Sequence, residues 1–176
     1  MKLRDRYLFL GNYNISSVVD KLPTMNDPIW EKNTLRQTNY AAHSSTKSLV
    51  FYWTKNIDNE VNTSDSELLR SPLGVEVLKL VENITERYKS TKISKLMIAA
   101  LPPGHSVDAH YDAGNLTKIR RIHIPLVSSK DCIFEIDGVG YSFPPGFTFE
   151  LDNTREHAVK NTSNNYRLHI IFDIIC

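Results

Sequence analysis

The stretch CIFEIDGVGYSFPPGFTFEL, residues 132–151, decides the fold of this chain. Three short runs rich in β-branched and aromatic residues, CIFEI (132–136), VGYSF (139–143) and FTFEL (147–151), alternate with the breakers Asp137-Gly138 and Pro144-Pro145-Gly146. An Asp-Gly pair supplies the positive φ that a tight hairpin connection needs, so DGVG (137–140) reads as a hairpin turn. The same rhythm extends outward in both directions. KLMIAAL (95–101), KIRRIHIPLV (118–127), HAVKN (157–161) and RLHIIFDII (167–175) are β-type runs, with PPG, AGN, SSKD, DNTRE and NTSNN between the runs. Many short strands at regular spacing, punctuated by Gly, Pro, Asn and Asp, point to a sandwich or barrel, of which the jelly roll is one.

The organisation changes near residue 90. Before it lie a strand-like run YLFLGNY (7–13), a short helix around SSVVDKL (16–22) and a β-rich run SLVFYWT (48–54). The clearest helix follows: Ser71 can cap it, Pro72 sits in its first turn, and Val75, Leu78, Val81, Ile84 and Tyr88 recur at three- and four-residue spacing. One face of it is expected to pack on a sheet. The reading is therefore α+β, mainly β, as a single domain over 1–176. Residues 1–92 form an N-terminal helical and β elaboration, and 93–176 form the β core.

Composition narrows the function classes. In 176 residues, 21 Lys and Arg nearly balance 20 Asp and Glu, for a net charge of +1. No global field draws the chain to nucleic acid or to an anionic membrane. Cys132 and Cys176 form no CxxC pair, which fits a reducing compartment and gives neither a zinc knuckle nor a disulfide framework. The N-terminal MKLRDRYLFLGNYN has too short an apolar run for a signal peptide, and no stretch approaches the ~18 apolar residues of a membrane span. A cytoplasmic protein is the expectation, and no obligate protein partner is readable.

Chemistry concentrates in GHSVDAHYD, residues 104–112. Along a strand alternate residues share a face, so His110 and Asp112 project the same way and can meet one ion. His105 has the opposite parity, and Asp108 reads as a solvated turn acid. His157, which opens a later strand, is the best candidate for a third ligand. Two imidazoles and a carboxylate leave three positions of an octahedron open, as in non-haem Fe(II) oxygenases, although the same set could hold zinc with an open water position. Ten residues after His157, Arg167 begins the last strand. Facing a barrel interior it needs an anion, and its fork suits a carboxylate. Arg121 and His123 share one strand face and offer a second anion-holding position; the plainer alternative is a polar pair on an outer sheet face. His169 reads as a hydrogen-bonded core histidine, and His43 and His105 as loop or surface residues. Asn153 and Asn161 read as holding turns around His157. Trp30, Tyr40, Tyr52 and Trp53 read as core and lid packing.

The order His110-x-Asp112, Arg121-x-His123, PPGFTFELDNTREHAV (144–159), Asn161 and Arg167 with LHIIFD resembles the aspartyl/asparaginyl β-hydroxylase-like branch of the Fe(II)/2-oxoglutarate-dependent dioxygenases, which includes proline-hydroxylase-like members. The resemblance covers about residues 93–175. It implies a double-stranded β-helix of jelly-roll or cupin-like form with N-terminal helices packed on one sheet. It implies Fe(II) held by His110, Asp112 and His157, the distal carboxylate of 2-oxoglutarate on Arg167, and Arg121 and His123 placing the co-substrate or substrate. O2 would complete the reaction, hydroxylating an aliphatic C–H bond and yielding succinate and CO2. Some family members that hydroxylate peptides lack the carboxylate at the position of Asp112, which this chain keeps, so it need not share their substrate. Where they tend to carry a co-substrate-binding serine, it has Ala99 or Ala100. The substrate expected is a free amino acid or a peptidyl Asp, Asn or Pro side chain. Two rivals are a cupin-like small-acid or metal-binding module without turnover and a zinc-dependent enzyme using the same triad.

Overall fold

A computed structural model describes residues 3–56, 61–88, 92–112 and 119–175. Among the described residues, eleven strands form two antiparallel sheets, joined by four short-to-medium α-helices that all precede residue 90. The strands are β1 (Tyr7–Asn12), β2 (Lys47–Asn56), β3 (Val61–Ser64), β4 (Ile93–Leu101), β5 (Ser106–His110), β6 (Ile119–Val127), β7 (Cys132–Ile136), β8 (Val139–Tyr141), β9 (Phe147–Leu151), β10 (His157–Asn161) and β11 (Arg167–Ile175). The helices are α1 (Ser16–Val19), α2 (Leu35–Asn39), α3 (Ser66–Arg70) and α4 (Pro72–Thr85). The larger sheet runs β1-β9-β6-β11-β4-β2-β3, and the smaller runs β5-β10-β7-β8. This is the jelly-roll arrangement of two facing sheets, α+β and mainly β.

Parity along the central strands creates two interiors. Ile122 and Ile124 of β6, Leu96 and Ile98 of β4, and Ile170 and Phe172 of β11 point to the helical side, where they meet Trp30, Val77, Val81 and Ile84. The alternate residues face the smaller sheet. There Leu101, Phe149 and Leu151 pack against Val107, Phe134, Ile136 and Val159. Residues buried on both faces explain why these strands read as long apolar runs interrupted by a few charges. Those interruptions, Lys95, Arg121, His123, Arg167, His169 and Asp173, share the parity of the face toward the smaller sheet.

Helix α4 starts where the sequence predicts. Ser71 Oγ accepts from Gly74 N at 3.1 Å, and Pro72 occupies the first turn. Its packing face is largely the expected one: Val81 and Ile84 are buried and Leu78 and Tyr88 pack against the same core, with Leu73, Val77 and Leu80 added, while Val75 is exposed and Tyr88 lies beyond the last turn. A Cβ on Gly74 would collide with the Leu68 and Leu69 carbonyls, which fixes that side of the helix against α3. Aromatic and aliphatic groups thus cover the sheet from Leu73 onward.

The hairpin at 137–138 is as read: Asp137 (φ 49°) and Gly138 (φ 70°) join β7 to β8 with Ile136 opposite Val139. Some boundaries move. β8 ends at Tyr141 rather than 143, the first helix spans only Ser16–Val19, and β2 extends over Lys47–Asn56. The AGN turn (113–115) and Lys118 lie outside the described residues. Strands from the N-terminal half complete the larger sheet, β1 pairing with β9 and β2 with β4. Residues before 93 therefore supply sheet as well as helix.

Candidate active site

β5 and β10 bring two imidazoles together. His157 stands opposite His110 in the ladder, and their ring centroids are 4.3 Å apart. His110 Nδ1 lies 2.7 Å from the Asp108 carbonyl, and His157 Nδ1 lies 2.9 Å from the Arg155 carbonyl. A carbonyl only accepts, so in neutral rings each Nδ1 carries the proton and each Nε2 keeps its lone pair. Metal-binding histidines are oriented in this way, by a donor bond from the nitrogen that does not ligate. Burial holds His157 down to about 4, so its ring is neutral at pH 7. Asp108 thus contributes its carbonyl, while its side chain and His105 are exposed.

Asp112 lies just past the end of β5, and the Asp112 N–H donates to the Asn153 carbonyl at 2.9 Å, carrying the pairing beyond the strand. Asp112 Oδ2 accepts from Arg121 Nη1 and, at 3.1 Å, from Asn153 Nδ2. Arg121 also grips Asp173 with both prongs of its fork, Nε to Oδ1 at 2.8 Å and Nη2 to Oδ2 at 2.9 Å. Lys95 Nζ, 4.4 Å from the Trp53 ring centroid, reaches Asp173 Oδ2 at 3.3 Å. Burial opposes the charge on Arg121, but Asp173 and Asp112 outweigh it and hold its pKa above the ordinary value. Burial likewise pushes Asp173 up, and Arg121 with Lys95 more than reverses this. Lys95 is lowered by burial to about 8. Among the described residues no three His, Cys, Asp or Glu side chains converge at metal-binding spacing. The imidazoles meet, whereas Asp112 is drawn to Arg121 and Asn153.

Arg167 is treated differently. It is 5% exposed, its Nη2 is 2.9 Å from His169 Nδ1, and its guanidinium lies 5.6 Å from the Phe134 ring centroid. Among the described residues no carboxylate lies within ion-pair distance of it, and burial lowers it to about 9, leaving it charged at pH 7. Because Arg167 can only donate, His169 Nδ1 is the acceptor and its proton sits on Nε2. Both ring nitrogens of His123 and Nε2 of His169 are buried without a hydrogen-bond partner among the described residues. Burial takes both rings well below the ordinary histidine value. Ala99 sits opposite both His169 and Ser48 in the larger sheet, and Ala100 belongs to the helical side. Ala99 is thus the residue on the inner parity, and it offers no hydroxyl.

These groups surround one pocket of about 530 Å³, within the range of small-molecule sites. His110, Asp112, His157, Arg121, His123 and Arg167, the six residues singled out in the sequence, all line it. Sequence reasoning missed Arg36, His43, Lys95 and Asp173. His43 is half-buried at the pocket wall: its ring packs perpendicular to His110 with centroids 5.0 Å apart, and burial lowers its pKa to about 2. Tyr40 and Trp53 line the pocket as well, whereas Trp30 is fully buried in the helical core. Inner-face parity on β4 and β11 could have flagged Lys95 and Asp173. Nothing in the irregular segment 28–46 flagged Arg36 or His43. Asn161 holds its turn, its Nδ2 donating to the carbonyls of Leu101, Pro102 and Asn165, whereas Asn153 Nδ2 donates to Asp112 and it is the Asp152 carboxylate that bonds Thr154 and Arg155 in the turn before His157.

Residues 15–176 match the sequence profile of the Aspartyl/Asparaginyl beta-hydroxylase family. The chain belongs to that family. No curated protein matches it in sequence. Among solved structures, an oxidoreductase of the 2OG-Fe(II) oxygenase family from Burkholderia pseudomallei superposes with a TM-score of 0.55 at 13% identity, covering 74% of this chain and 66% of that one. This β-hydroxylase family chain thus spans just under two thirds of that oxygenase. A predicted oxalate decarboxylase from Thermotoga maritima (TM-score 0.41, 22% identity, 52% and 74% covered) and a cupin domain from Bordetella pertussis (0.40, 16%, 51% and 88%) are also similar. Family and fold point to an oxidoreductase of the hydroxylase kind. No helix among the described residues is long and apolar enough to cross a membrane.

Proposed function

We propose that this β-hydroxylase family member is an Fe(II)- and 2-oxoglutarate-dependent dioxygenase that hydroxylates an aliphatic C–H bond of an amino acid or of a peptidyl Asp, Asn or Pro residue. One atom of O2 would enter succinate, formed with CO2 from 2-oxoglutarate, and the other the new hydroxyl. The observation that carries the reading is Arg167, a buried cation without a carboxylate, facing a pocket in which two imidazoles present bare Nε2 atoms.

The residues present fit the metal in kind. His110 and His157 would hold it through Nε2, with their orientations fixed by the Asp108 and Arg155 carbonyls. Asp112 would be the third ligand; its hydrogen bonds fall on Oδ2, and a monodentate ligand needs only one carboxylate oxygen. Bound Fe(II) supplies the redox centre for O2 and 2-oxoglutarate. Arg167 would clamp the distal carboxylate of 2-oxoglutarate, held in place by His169, and His123 offers unpartnered nitrogens to the same ligand. Arg121, already bound to Asp173 and Asp112, steadies the carboxylate ligand. Phe134, Val107 and Val159 give the pocket an apolar wall that limits water.

Succinate release from protein supplied with Fe(II), 2-oxoglutarate and O2 tests this, screened over free amino acids and peptides. A product heavier by one oxygen atom identifies the substrate. His110→Ala or His157→Ala should abolish turnover, a loss of at least ~10³-fold, as for other groups that act as one unit. Protein that binds neither Fe(II) nor 2-oxoglutarate in an anaerobic titration would sink the proposal.

A further inference from the structure

The pocket holds one more cation than the proposed reaction uses. Arg36, on α2, is 7% exposed and lines the pocket beside Tyr40 and His43 of the same segment. Among the described residues its one side-chain hydrogen bond, Nη1 to Thr46 Oγ1 at 3.2 Å, is to a neutral group. Arg36 lies within electrostatic reach of Asp112 and Asp173 but forms an ion pair with neither. Those two carboxylates are already engaged by Arg121 and Lys95, so three cations share two anions at this end. Arg167, at the other end, is reserved for the co-substrate. A buried guanidinium left uncompensated is costly, and chains retain one where a ligand supplies the anion. Its wall adjoins the metal ligands through the contact of the His43 and His110 rings.

We infer that Arg36 receives a carboxylate of the substrate, so the enzyme acts on substrates that present a carboxylate beside the bond to be hydroxylated and rejects the corresponding carboxamides. This rests on the proposed function and specifies its substrate class. The carboxylate can be the α-carboxylate of a free amino acid or the side chain of a peptidyl acid. Planar, bidentate recognition distinguishes either from an amide, which leaves the cation unpaired. The fork of Arg36 is anchored by Thr46 at one nitrogen, leaving the rest of the guanidinium for the incoming group.

The test is equilibrium binding by calorimetry to protein loaded with Fe(II) and 2-oxoglutarate under nitrogen, where no turnover occurs. Two probe pairs separate the carboxylate sources: L-proline against L-prolinamide, and a blocked peptide with a central Asp against the same peptide with Asn. One acid is expected to bind at least ~30-fold more tightly than its amide, the worth of a desolvated charge-assisted pair. Arg36→Gln should erase that ratio while leaving 2-oxoglutarate affinity within about twofold, and Arg36→Lys should retain part of it. A residue kept for ligand rather than fold should also leave the thermal midpoint of Arg36→Gln at or above that of the parent. Wild-type protein that binds 2-oxoglutarate but favours neither acid overturns the inference, as does full acid preference in Arg36→Gln or a lowered midpoint with the preference intact. Failure to bind 2-oxoglutarate at all removes the proposed function and this inference together.

Discussion

Two arginines on neighbouring strands of the larger sheet are buried to the same degree and equipped in opposite ways. Arg121 on β6 is 8% exposed and meets two carboxylates; Arg167 on β11 is 5% exposed and meets a neutral imidazole and the face of Phe134 but, among the described residues, no carboxylate. Asp173, the partner of Arg121, lies on the same strand as Arg167 but six residues along, about 20 Å away at strand rise. The two ends of β11 therefore differ in charge balance. At the Asp173 end the folding chain supplies its own counter-ions, and the network fixes Asp112. At the Arg167 end the chain supplies a hydrogen-bond acceptor to aim the guanidinium and, among the described residues, no counter-ion. A satisfied buried ion marks structure, and an unsatisfied one lining a pocket marks binding.

Exchanging the two arginines for alanine should separate these roles most strongly. Arg121→Ala strands Asp173 and Asp112 and should cost ~3–5 kcal/mol of stability in urea unfolding. Arg167→Ala should leave stability unchanged or higher, yet raise the KM for 2-oxoglutarate at least ~30-fold by removing a desolvated charge partner. Equal loss of stability in the two variants would erase the distinction. Asp173→Asn tests the balanced end alone: Arg121 and Lys95 lose their shared anion, and a stability loss of ~3 kcal/mol is expected, with Fe(II) affinity falling because Arg121 no longer steadies Asp112.

Acid should sharpen the contrast further. His123 and His169 fold with pKa values well below their ordinary 6.5. Below pH 6.5 the unfolded chain takes up protons that the folded chain refuses, so stability is fully present above pH 6.5 and falls with acidification. The expected slope is about 1.4 kcal/mol per pH unit for each ring. Denaturant midpoints of metal-free protein at pH 7.5, 6.5 and 5.5 measure it, and His169→Phe should reduce the slope by one ring's share. A flat profile would mean these rings are charged or solvated. The same His169→Phe change should raise the KM for 2-oxoglutarate only about fivefold, the worth of one neutral hydrogen bond aiming Arg167.

Much of the fold was legible because turn chemistry and alternation are local. Asp137-Gly138 fixes its hairpin wherever it stands, and the run 167–175 is a strand over its whole predicted length. The packing face of α4 was legible in its three- and four-residue spacing except at Val75, which is exposed next to Gly74, whose close approach to α3 the sequence does not announce. The six polar residues singled out all line the pocket because each lies in or beside a strand, where side-chain direction follows from parity. Arg36 and His43 come from short helical turns, whose orientation is set by tertiary packing alone. Asp112 shows the remaining limit: parity places it on the correct side, but its engagement with Arg121 depends on a strand across the sheet.

The most direct measurement is an anaerobic titration of 2-oxoglutarate into Fe(II)-loaded protein, read as equilibrium affinity for the parent, Arg167→Ala and His157→Ala. Saturable binding by the parent is predicted, weakened at least ~30-fold in Arg167→Ala and lost with the metal in His157→Ala. Binding of equal strength in the parent and Arg167→Ala would contradict the assignment of that buried cation to the co-substrate.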